Sequence, residues 1–188
     1  MKIIYIFVGS YFLLTIQPEV KTFEHSLTSV KSTSIDKGSF LLITLLAYFN
    51  MLGVYYYSVI SGKIDTISGL ETFGAIFVGV VGLLFRFWSI YCLGEFFSVQ
   101  VRIKSDQKIV DEGPYKIIRH PSYLGSLIFF VSISLIFNLY LLALLSAILW
   151  MAVYFYRIKV EEAELQNFFG ELYLEYKKNT WALIPYIF

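Results

Sequence analysis

The residues best suited to chemistry lie in two short polar segments that flank a long apolar stretch. The first segment, residues 113–125, contains the consecutive residues Arg119, His120 and Pro121. Proline is favoured in the first turn of a helix, because the N–H that it lacks would be unpaired there anyway. A helix start of this kind leaves backbone N–H groups free and carries partial positive charge, so it suits an anion such as a carboxylate. The same residues also fit a basic turn that anchors to lipid headgroups.

The second polar segment begins where the apolar stretch ends. Arg157 and Glu161 are four residues apart and therefore share one face of a helix, and Glu162 places a second carboxylate beside the first. A solvated helix start with an intrahelical ion pair explains this pattern as well as a binding site does. The helix is predicted to continue as an amphipathic one to about Lys178. Its apolar positions recur at helical spacing: Leu165, Phe168, Phe169, Leu172 and Tyr176.

A charge and three glycines stand out inside an apolar run between residues 70 and 93. Arg86 is expected to face protein or water, and both a pairing with Glu95 and snorkelling to the headgroups fit it. Small residues within an apolar helix permit close packing against a neighbour. We expect that role for the three glycines, since they follow no strand and so indicate no dinucleotide fold: Gly74, Gly79 and Gly82.

The composition argues against several classes of function. The chain has one cysteine, Cys92, and two histidines, His25 and His120, so neither a disulfide nor a zinc site is indicated. A net charge of +1 gives no sign of nucleic-acid binding.

The elements that carry these residues are predicted to lie in a membrane. Hydrophobic residues make up 57% of the 188 positions and charged residues only 15%, against about 25% charged in a typical soluble domain. The mean hydropathy is +0.68. Aromatic residues reach 19%, which suits a protein with many side chains at the level of the headgroups. The composition indicates an integral membrane protein.

Apolar runs predict about five transmembrane helices in an all-α, polytopic fold. The runs cover residues 3–16, 40–60, 70–93, 123–137 and 139–156. The last two form one stretch that is too long for a single crossing, so we expect a helical hairpin with its turn at Asn138. The short first run also resembles a signal peptide, but no small-residue cleavage site follows it, and a retained span is favoured.

The distribution of basic residues predicts the orientation. With five spans, Lys2 and Lys63 lie on one side, and twelve Lys and Arg residues lie on the other. The positive-inside rule then places the N-terminus outside and the C-terminus in the cytoplasm. The twelve residues are Lys21, Lys31, Lys37, Arg102, Lys104, Lys108, Lys116, Arg119, Arg157, Lys159, Lys177 and Lys178. We expect two regions, a three-span membrane region over residues 1–93 and a core over residues 94–188 that ends in the cytoplasmic amphipathic helix.

The two polar segments together resemble a known family. The ordered motifs run from Gly113-Pro114-Tyr115 through Arg119-His120-Pro121-Ser122-Tyr123-Leu124-Gly125, then Arg157 with Glu161-Glu162, then Phe168-Phe169-Gly170 and Tyr173-Leu174-Glu175-Tyr176-Lys177-Lys178. This set resembles the isoprenylcysteine carboxyl methyltransferases, in particular compact prokaryotic members, and related phospholipid methyltransferases share a looser version. The resemblance covers about half of the chain, from about Gly94 to Pro185.

The resemblance implies S-adenosylmethionine as the methyl donor and assigns the residues that bind it. These are Gln100, Gln107, Lys108, Ile109, Val110, Tyr115, His120, Pro121, Ser122, Tyr123 and Glu161. It also implies that Arg157 binds the substrate and is the catalytic residue. Glu161 would hold the ammonium group of the donor, and the helix start at His120 and Pro121 would receive its carboxylate or ribose.

The implied reaction is methyl transfer to a lipophilic substrate that enters sideways from the bilayer, among membrane lipids. A prenylcysteine carboxylate is already ionised at pH 7 and needs no general base. A phospholipid amine would need a proton acceptor, with Glu162 or His120 nearby. A sterol-type membrane reductase and a non-enzymatic scaffold or transporter component are further alternatives. A prokaryotic source would imply the cell membrane, and a eukaryotic source the endoplasmic reticulum.

Overall fold

The computed structural model describes residues 38–62, 69–98 and 106–187, and these form an all-helical protein. Its helices are α1 (Ser39–Ile60), α2 (Leu70–Leu93), α3 (Pro121–Ile136), α4 (Tyr140–Phe169) and α5 (Glu171–Asn179), with short 3-10 turns at Gly94–Phe96 and Gly113–Lys116. Within the described ranges, the strand-like pairing is one parallel bridge between Ile118 and Trp181.

Three of the helices are long and apolar enough to cross a membrane, namely α1, α2 extended by its 3-10 turn, and α4. The sequence analysis is confirmed for these spans, and the chain is an integral membrane protein. Helix α3 has 16 residues and a length of about 24 Å, so it is shorter than a hydrocarbon core of about 30 Å. The predicted span at residues 3–16 lies outside the described residues.

The predicted hairpin is present between α3 and α4. Helix α3 begins at Pro121 in its first turn, as expected. Asn138 takes a left-handed backbone conformation with φ of 55°, which asparagine tolerates better than most residues. The next helix begins at Tyr140. The chain therefore reverses at the residue where the sequence predicted the turn.

Helices α2 and α3 pack closely because glycines meet at their interface. A Cβ atom added at Gly125 would lie 2.6 Å from the carbonyl oxygen of Gly82, and one added at Gly82 would lie 2.9 Å from that of Gly125. A Cβ atom at Gly79 would collide with the Ser132 side chain. The packing role predicted for Gly79 and Gly82 is confirmed. Gly74 has open space around its Cβ position, so the same expectation is wrong there.

Aromatic rings form the centre of the core between α3 and α4. Trp150 is fully buried and stacks on Phe130 with ring centroids 4.2 Å apart. Tyr154 lies one turn further along α4 and contacts Trp150 at 5.2 Å. It also stacks on Tyr123 of α3 at 5.0 Å. This column of rings leads from the core to the polar end of the hairpin.

The expected single amphipathic helix after Arg157 is two helices. Helix α4 continues to Phe169, Gly170 breaks it with φ of 58°, and α5 follows. Glycine adopts this conformation without the steric penalty of a side chain, so the chain changes direction there. In α5 the buried residue is Tyr173 rather than the predicted Leu172, which is 65% exposed. The predicted apolar face therefore does not continue from α4 into α5.

Candidate active site

The segment around His120 is fixed by the end of the chain. The backbone N–H of Arg119 donates to the carbonyl of Trp181 at 2.8 Å, and that of His120 donates to the carbonyl of Ala182 at 3.0 Å. The parallel bridge at Ile118 belongs to the same pairing. As a result, His120 is buried at the N-cap of α3. No sequence motif indicated this pairing.

The hydroxyl of Tyr123 joins the two residues that the sequence singled out after the apolar stretch. It donates to Glu161 Oε2 at 2.6 Å and accepts from Arg157 Nε at 3.1 Å. Arg157 is 2% exposed, and its Nη1 donates to Ser39 Oγ of α1 at 2.6 Å. The arginine, the tyrosine and the carboxylate therefore form one continuous polar chain from α1 through α4 to α3.

The imidazole of His120 lies between both glutamates. Its Nε2 is 3.3 Å from Glu162 Oε1, and its Nδ1 is 3.7 Å from Glu161 Oε2. The ring stacks on Tyr123 with an angle of 5° between the planes and 5.4 Å between centroids. Helix α4 turns by about 100° per residue, so adjacent glutamates can reach different partners. His120 thereby extends the polar chain from Glu161 to Glu162.

The start of α3 differs from the open anion site expected from the sequence. The N–H groups of Tyr123 and Leu124 both donate to the His120 carbonyl, at 3.1 and 3.3 Å. The carbonyl of Ser122 accepts from the side chain of Ser126 at 2.9 Å and from Arg86 at 3.3 Å. The N–H of Tyr123 is therefore used within the turn, and Pro121 has none, so fewer backbone donors face a ligand than a free helix start would offer.

Arg86 finds its partners at this same end of α3. Its guanidinium donates to Ser126 Oγ at 2.7 Å as well as to the Ser122 carbonyl. The close glycine contact between α2 and α3 brings Arg86 within reach, because the Cβ position of Gly125 is 2.8 Å from the Arg86 backbone nitrogen. The partners that the sequence left undetermined are therefore in the first two turns of α3.

A cleft is lined by the loop before α3, by the end of α4 and by α5. Among the described residues, its lining does not include Tyr123, Arg157 or Glu161. Its volume is about 730 Å³, within the range of roughly 300–1,000 Å³ that holds small-molecule ligands. Three of the residues predicted to bind the donor contribute to its wall, together with Phe169, Leu172 and Tyr176 of the helices opposite. The three are Gln107, Lys108 and Ile109.

A buried tyrosine, Tyr115, and a half-buried one, Tyr176, connect the cleft with the polar chain. The hydroxyl of Tyr176, which lines the cleft, donates to the carbonyl of Tyr115 at 2.8 Å. Burial, reinforced by the nearby Glu161 carboxylate, raises the pKa of the Tyr115 phenol far above its usual range. Burial also raises the pKa of Tyr176. Both phenols are therefore neutral hydrogen-bonding groups at physiological pH.

The structure thus brings most of the predicted site residues to one end of the α3–α4 hairpin. Pro121 and Ser122 occupy the first turn of α3, and Val110 is half-buried in the loop that lines the cleft. Gln100 lies outside the described residues. The sequence analysis assigned no role in the site to Ser39, Lys177 or the tail at Trp181. Lys177 belongs to the last family motif, but the sequence does not show which residues these three contact.

The geometry describes a charged, partly buried site at one end of the α3–α4 hairpin, and a ligand-sized cleft connected to it through Tyr115 and Tyr176. The chain is also similar to known proteins. The model of the isoprenylcysteine carboxyl methyltransferase family matches residues 75–167. Protein-S-isoprenylcysteine O-methyltransferase B of Arabidopsis thaliana is 31% identical over 120 residues, which cover 63% of this chain and 60% of that protein. The Dictyostelium discoideum protein-S-isoprenylcysteine O-methyltransferase is 35% identical over 126 residues, which cover 62% of this chain and 52% of that protein.

A solved structure of the eukaryotic intramembrane Ras methyltransferase, an isoprenylcysteine carboxyl methyltransferase, shares the fold. It superposes with a TM-score of 0.65 at 25% identity, over 77% of this chain and 52% of that one. The chain thus spans between half and three-fifths of the length of these relatives. The matched region contains the glycine contact between α2 and α3, the start of the hairpin, and the polar residues of α4. On these grounds the chain belongs to the isoprenylcysteine carboxyl methyltransferase family.

Proposed function

We propose that this protein is a membrane methyltransferase that takes a methyl group from S-adenosylmethionine and esterifies the carboxylate of a prenylcysteine-like lipid. The observation that carries the proposal is the Tyr123 hydroxyl, which connects Arg157 with Glu161. A cation suited to a substrate carboxylate and an anion suited to a cationic donor are thereby held two hydrogen bonds apart.

Glu161 fits the ammonium group of the donor. Its side chain is 30% exposed, and Tyr123 and His120 both approach its Oε2 oxygen. Within the described part of the chain, Oε1 has no hydrogen-bond partner, so it can accept one from a ligand. A partly exposed carboxylate with an open acceptor can form the charge-assisted hydrogen bond that a bound ammonium group requires.

The cleft fits the nucleoside part of the donor. Gln107, Lys108 and Ile109 line one wall, and Tyr176 lines another. Tyr115, which accepts from Tyr176 through its carbonyl, would keep this wall next to Glu161. We assign the remaining predicted contacts, among them Gln100, Val110, Pro121 and Ser122, to the same donor site.

Arg157 would receive the carboxylate of the substrate and act as the catalytic residue. An arginine is always charged and attracts carboxylates. The bonds of its Nε to Tyr123 and of its Nη1 to Ser39 fix the orientation of the guanidinium. S-adenosylmethionine supplies an electrophilic methyl group on a positively charged sulfur. The carboxylate oxygen forms a bond to that carbon while the carbon–sulfur bond breaks and its electron pair stays on sulfur. Alignment and exclusion of water can provide roughly 7–11 kcal/mol towards such a step.

A carboxylate substrate agrees with the protonation chemistry of the site better than a phospholipid amine does. A carboxylate is ionised at pH 7 and needs no base, whereas an ammonium group must first lose a proton. Of the two proton acceptors considered for an amine, Glu162 already pairs with Arg119 and Lys177, and His120 is buried between two carboxylates. Neither has an open position for a substrate proton.

The topology completes the proposal. Helix α4 is about 45 Å long, so its last third, which contains Glu161, extends beyond a hydrocarbon core of about 30 Å. We propose five spans, an external N-terminus and a cytoplasmic C-terminus, with residues 1–93 as the membrane region and residues 94–188 as the methyltransferase core. The lipid tail of the substrate would enter from the bilayer next to Arg157.

Calorimetric binding of S-adenosylhomocysteine to the purified protein tests the donor site. We expect micromolar binding by the wild type and its loss in Glu161→Ala. Glu164→Ala removes a carboxylate from the same helix and should bind as the wild type does. Methyl transfer to a prenylcysteine but not to phosphatidylethanolamine would support the carboxylate substrate. A folded wild-type protein that does not bind S-adenosylhomocysteine would refute the proposed function.

A further inference from the structure

We propose that Glu162 is a positioning residue, which holds His120 and the C-terminal segment in place without itself touching donor or substrate. The inference rests on the proposed function, because His120 and Glu161 are the groups whose positions it would determine. It gives the two adjacent glutamates of α4 different tasks, which their sequence alone does not distinguish.

Both oxygens of Glu162 are occupied by the protein. Oε1 accepts from Arg119 Nε at 2.7 Å and lies 3.3 Å from His120 Nε2, while Oε2 pairs with Lys177 Nζ at 2.8 Å. The side chain is 11% exposed. A carboxylate that is buried among three basic groups has its charge compensated and both oxygens engaged, so it is poorly placed to bind a ligand.

Glu161 contrasts with Glu162 on every one of these counts. It is 30% exposed against 11%, it approaches one basic side chain at 3.7 Å, and its shortest hydrogen bond comes from a neutral phenol, Tyr123. The adjacent carboxylates therefore differ in burial, in the charge of their partners and in open acceptors. We therefore assign the binding of a ligand to Glu161 and the connection of protein segments to Glu162.

Glu162 joins three segments that are far apart in sequence. Arg119 and His120 belong to the loop before α3, Glu162 to α4, and Lys177 to α5. Arg119 also donates to the carbonyls of Thr180 and Lys177, and so caps the end of α5. The Glu162 carboxylate thus stabilises the contact between the end of α5 and the loop before α3. Beyond α5, the carbonyls of Trp181 and Ala182 bind the backbone of this loop at Arg119 and His120.

The position of His120 bears directly on the donor site. Its ring is parallel to that of Tyr123, and its Nδ1 faces Glu161, so each glutamate faces one ring nitrogen. Without the Glu162 charge, Nε2 loses its described ionic partner, and Arg119 and Lys177 lose their common counter-ion. A shift of about 1 Å in a preorganised site costs about 100-fold in rate.

The experiment compares Glu162→Gln with Glu164→Gln, which makes the same charge change two residues further along α4. S-adenosylhomocysteine affinity is measured by calorimetry, the KM of donor and prenylcysteine by methyl transfer, and folding by thermal denaturation in detergent. We expect Glu162→Gln to weaken donor affinity by about 10- to 100-fold, the equivalent of one charge-assisted hydrogen bond, with the prenylcysteine KM changed less than about threefold. Glu164→Gln should match the wild type.

Three outcomes would overturn the inference. One is unchanged donor affinity in a folded Glu162→Gln protein, even if its melting temperature falls, since that describes a purely structural residue. Another is an equal loss of affinity for donor and prenylcysteine. The third is a wild-type protein that does not bind S-adenosylhomocysteine, which refutes the proposed function as well. If Glu162→Gln does not fold, Glu162→Asp keeps the charge with a shorter reach, and the same split between donor and prenylcysteine is expected.

Discussion

Replacing Tyr123 by phenylalanine removes one oxygen atom from the centre of the site. That oxygen donates to Glu161 and accepts from Arg157, and both partners are charged. The ring itself remains, and with it the stacking on His120 at 5.4 Å and on Tyr154 at 5.0 Å. The change therefore breaks the link between the proposed donor and substrate sites while most of the local packing persists.

The expected magnitude follows from the two hydrogen bonds. A hydrogen bond to a charged group contributes about 1.5–3 kcal/mol. Glu161 is 30% exposed, so water replaces part of what its bond loses, whereas Arg157 is 2% exposed and has no such compensation. We therefore expect the loss of about one charged hydrogen bond, or about 1.5–3 kcal/mol. Since each 1.36 kcal/mol is a factor of ten in rate, kcat/KM should fall by about 10- to 100-fold.

Steady-state methylation of a prenylcysteine, with both substrates varied, measures this effect. Tyr91→Phe is the matched control, because Tyr91 lies on α2 with 84% of its surface exposed and should lose nothing. A Tyr123→Phe protein that melts like the wild type and keeps kcat/KM within about twofold would refute the reasoning. The hydrogen bonds of the hydroxyl to Glu161 and Arg157 would then not contribute to the reaction.

Three further changes probe the remaining parts of the site. Arg157→Ala should raise the KM for a prenylcysteine by about tenfold or more through loss of a charged hydrogen bond, while S-adenosylhomocysteine affinity in calorimetry changes far less; equal effects on both would contradict its assignment to the substrate. Gly125→Ala should destabilise the protein by about 1–3 kcal/mol, because its Cβ would overlap the backbone of α2. Gly74→Ala, with open space around it, should not destabilise it, and denaturation of both variants in detergent decides. Deleting residues 180–188 removes the carbonyls that hold Arg119 and His120 and should abolish donor binding, whereas deleting residues 186–188 alone should preserve it; donor binding by the longer deletion would show that the tail does not position the loop.

Local patterns in the sequence determined where most of the helices begin and where several of them end. Apolar runs predicted α1, α2 and α4 to within a residue at their starts, because hydropathy depends only on neighbouring residues. Pro121 and Asn138 marked the start and the end of α3 for the same reason, since proline and asparagine restrict or extend the backbone angles where they stand. The motifs also identified His120, Tyr123, Arg157 and Glu161 as one site, through the family resemblance.

Gly170 is a local signal for the end of a helix, but the sequence analysis gave more weight to the amphipathic spacing of the residues around it. The spacing of Leu165, Phe168 and Leu172 favoured one continuous amphipathic helix, but the glycine between them takes a positive φ and ends α4. A helical period read across a glycine assumes that the helix continues. The buried face of α5 then follows from Tyr173, whose position depends on the new helix direction.

Only the tertiary structure decided which charges meet. Glu162 pairs with Arg119 across 43 positions, and Arg157 bonds Ser39 across 118. Arg86 reaches α3 because two glycines let the helices approach. A charged side chain in a low-dielectric setting requires a partner, but the sequence states only the requirement. Which partner a charged side chain finds depends on how helices that are distant in sequence pack against one another. Local sequence patterns contain no information about that packing.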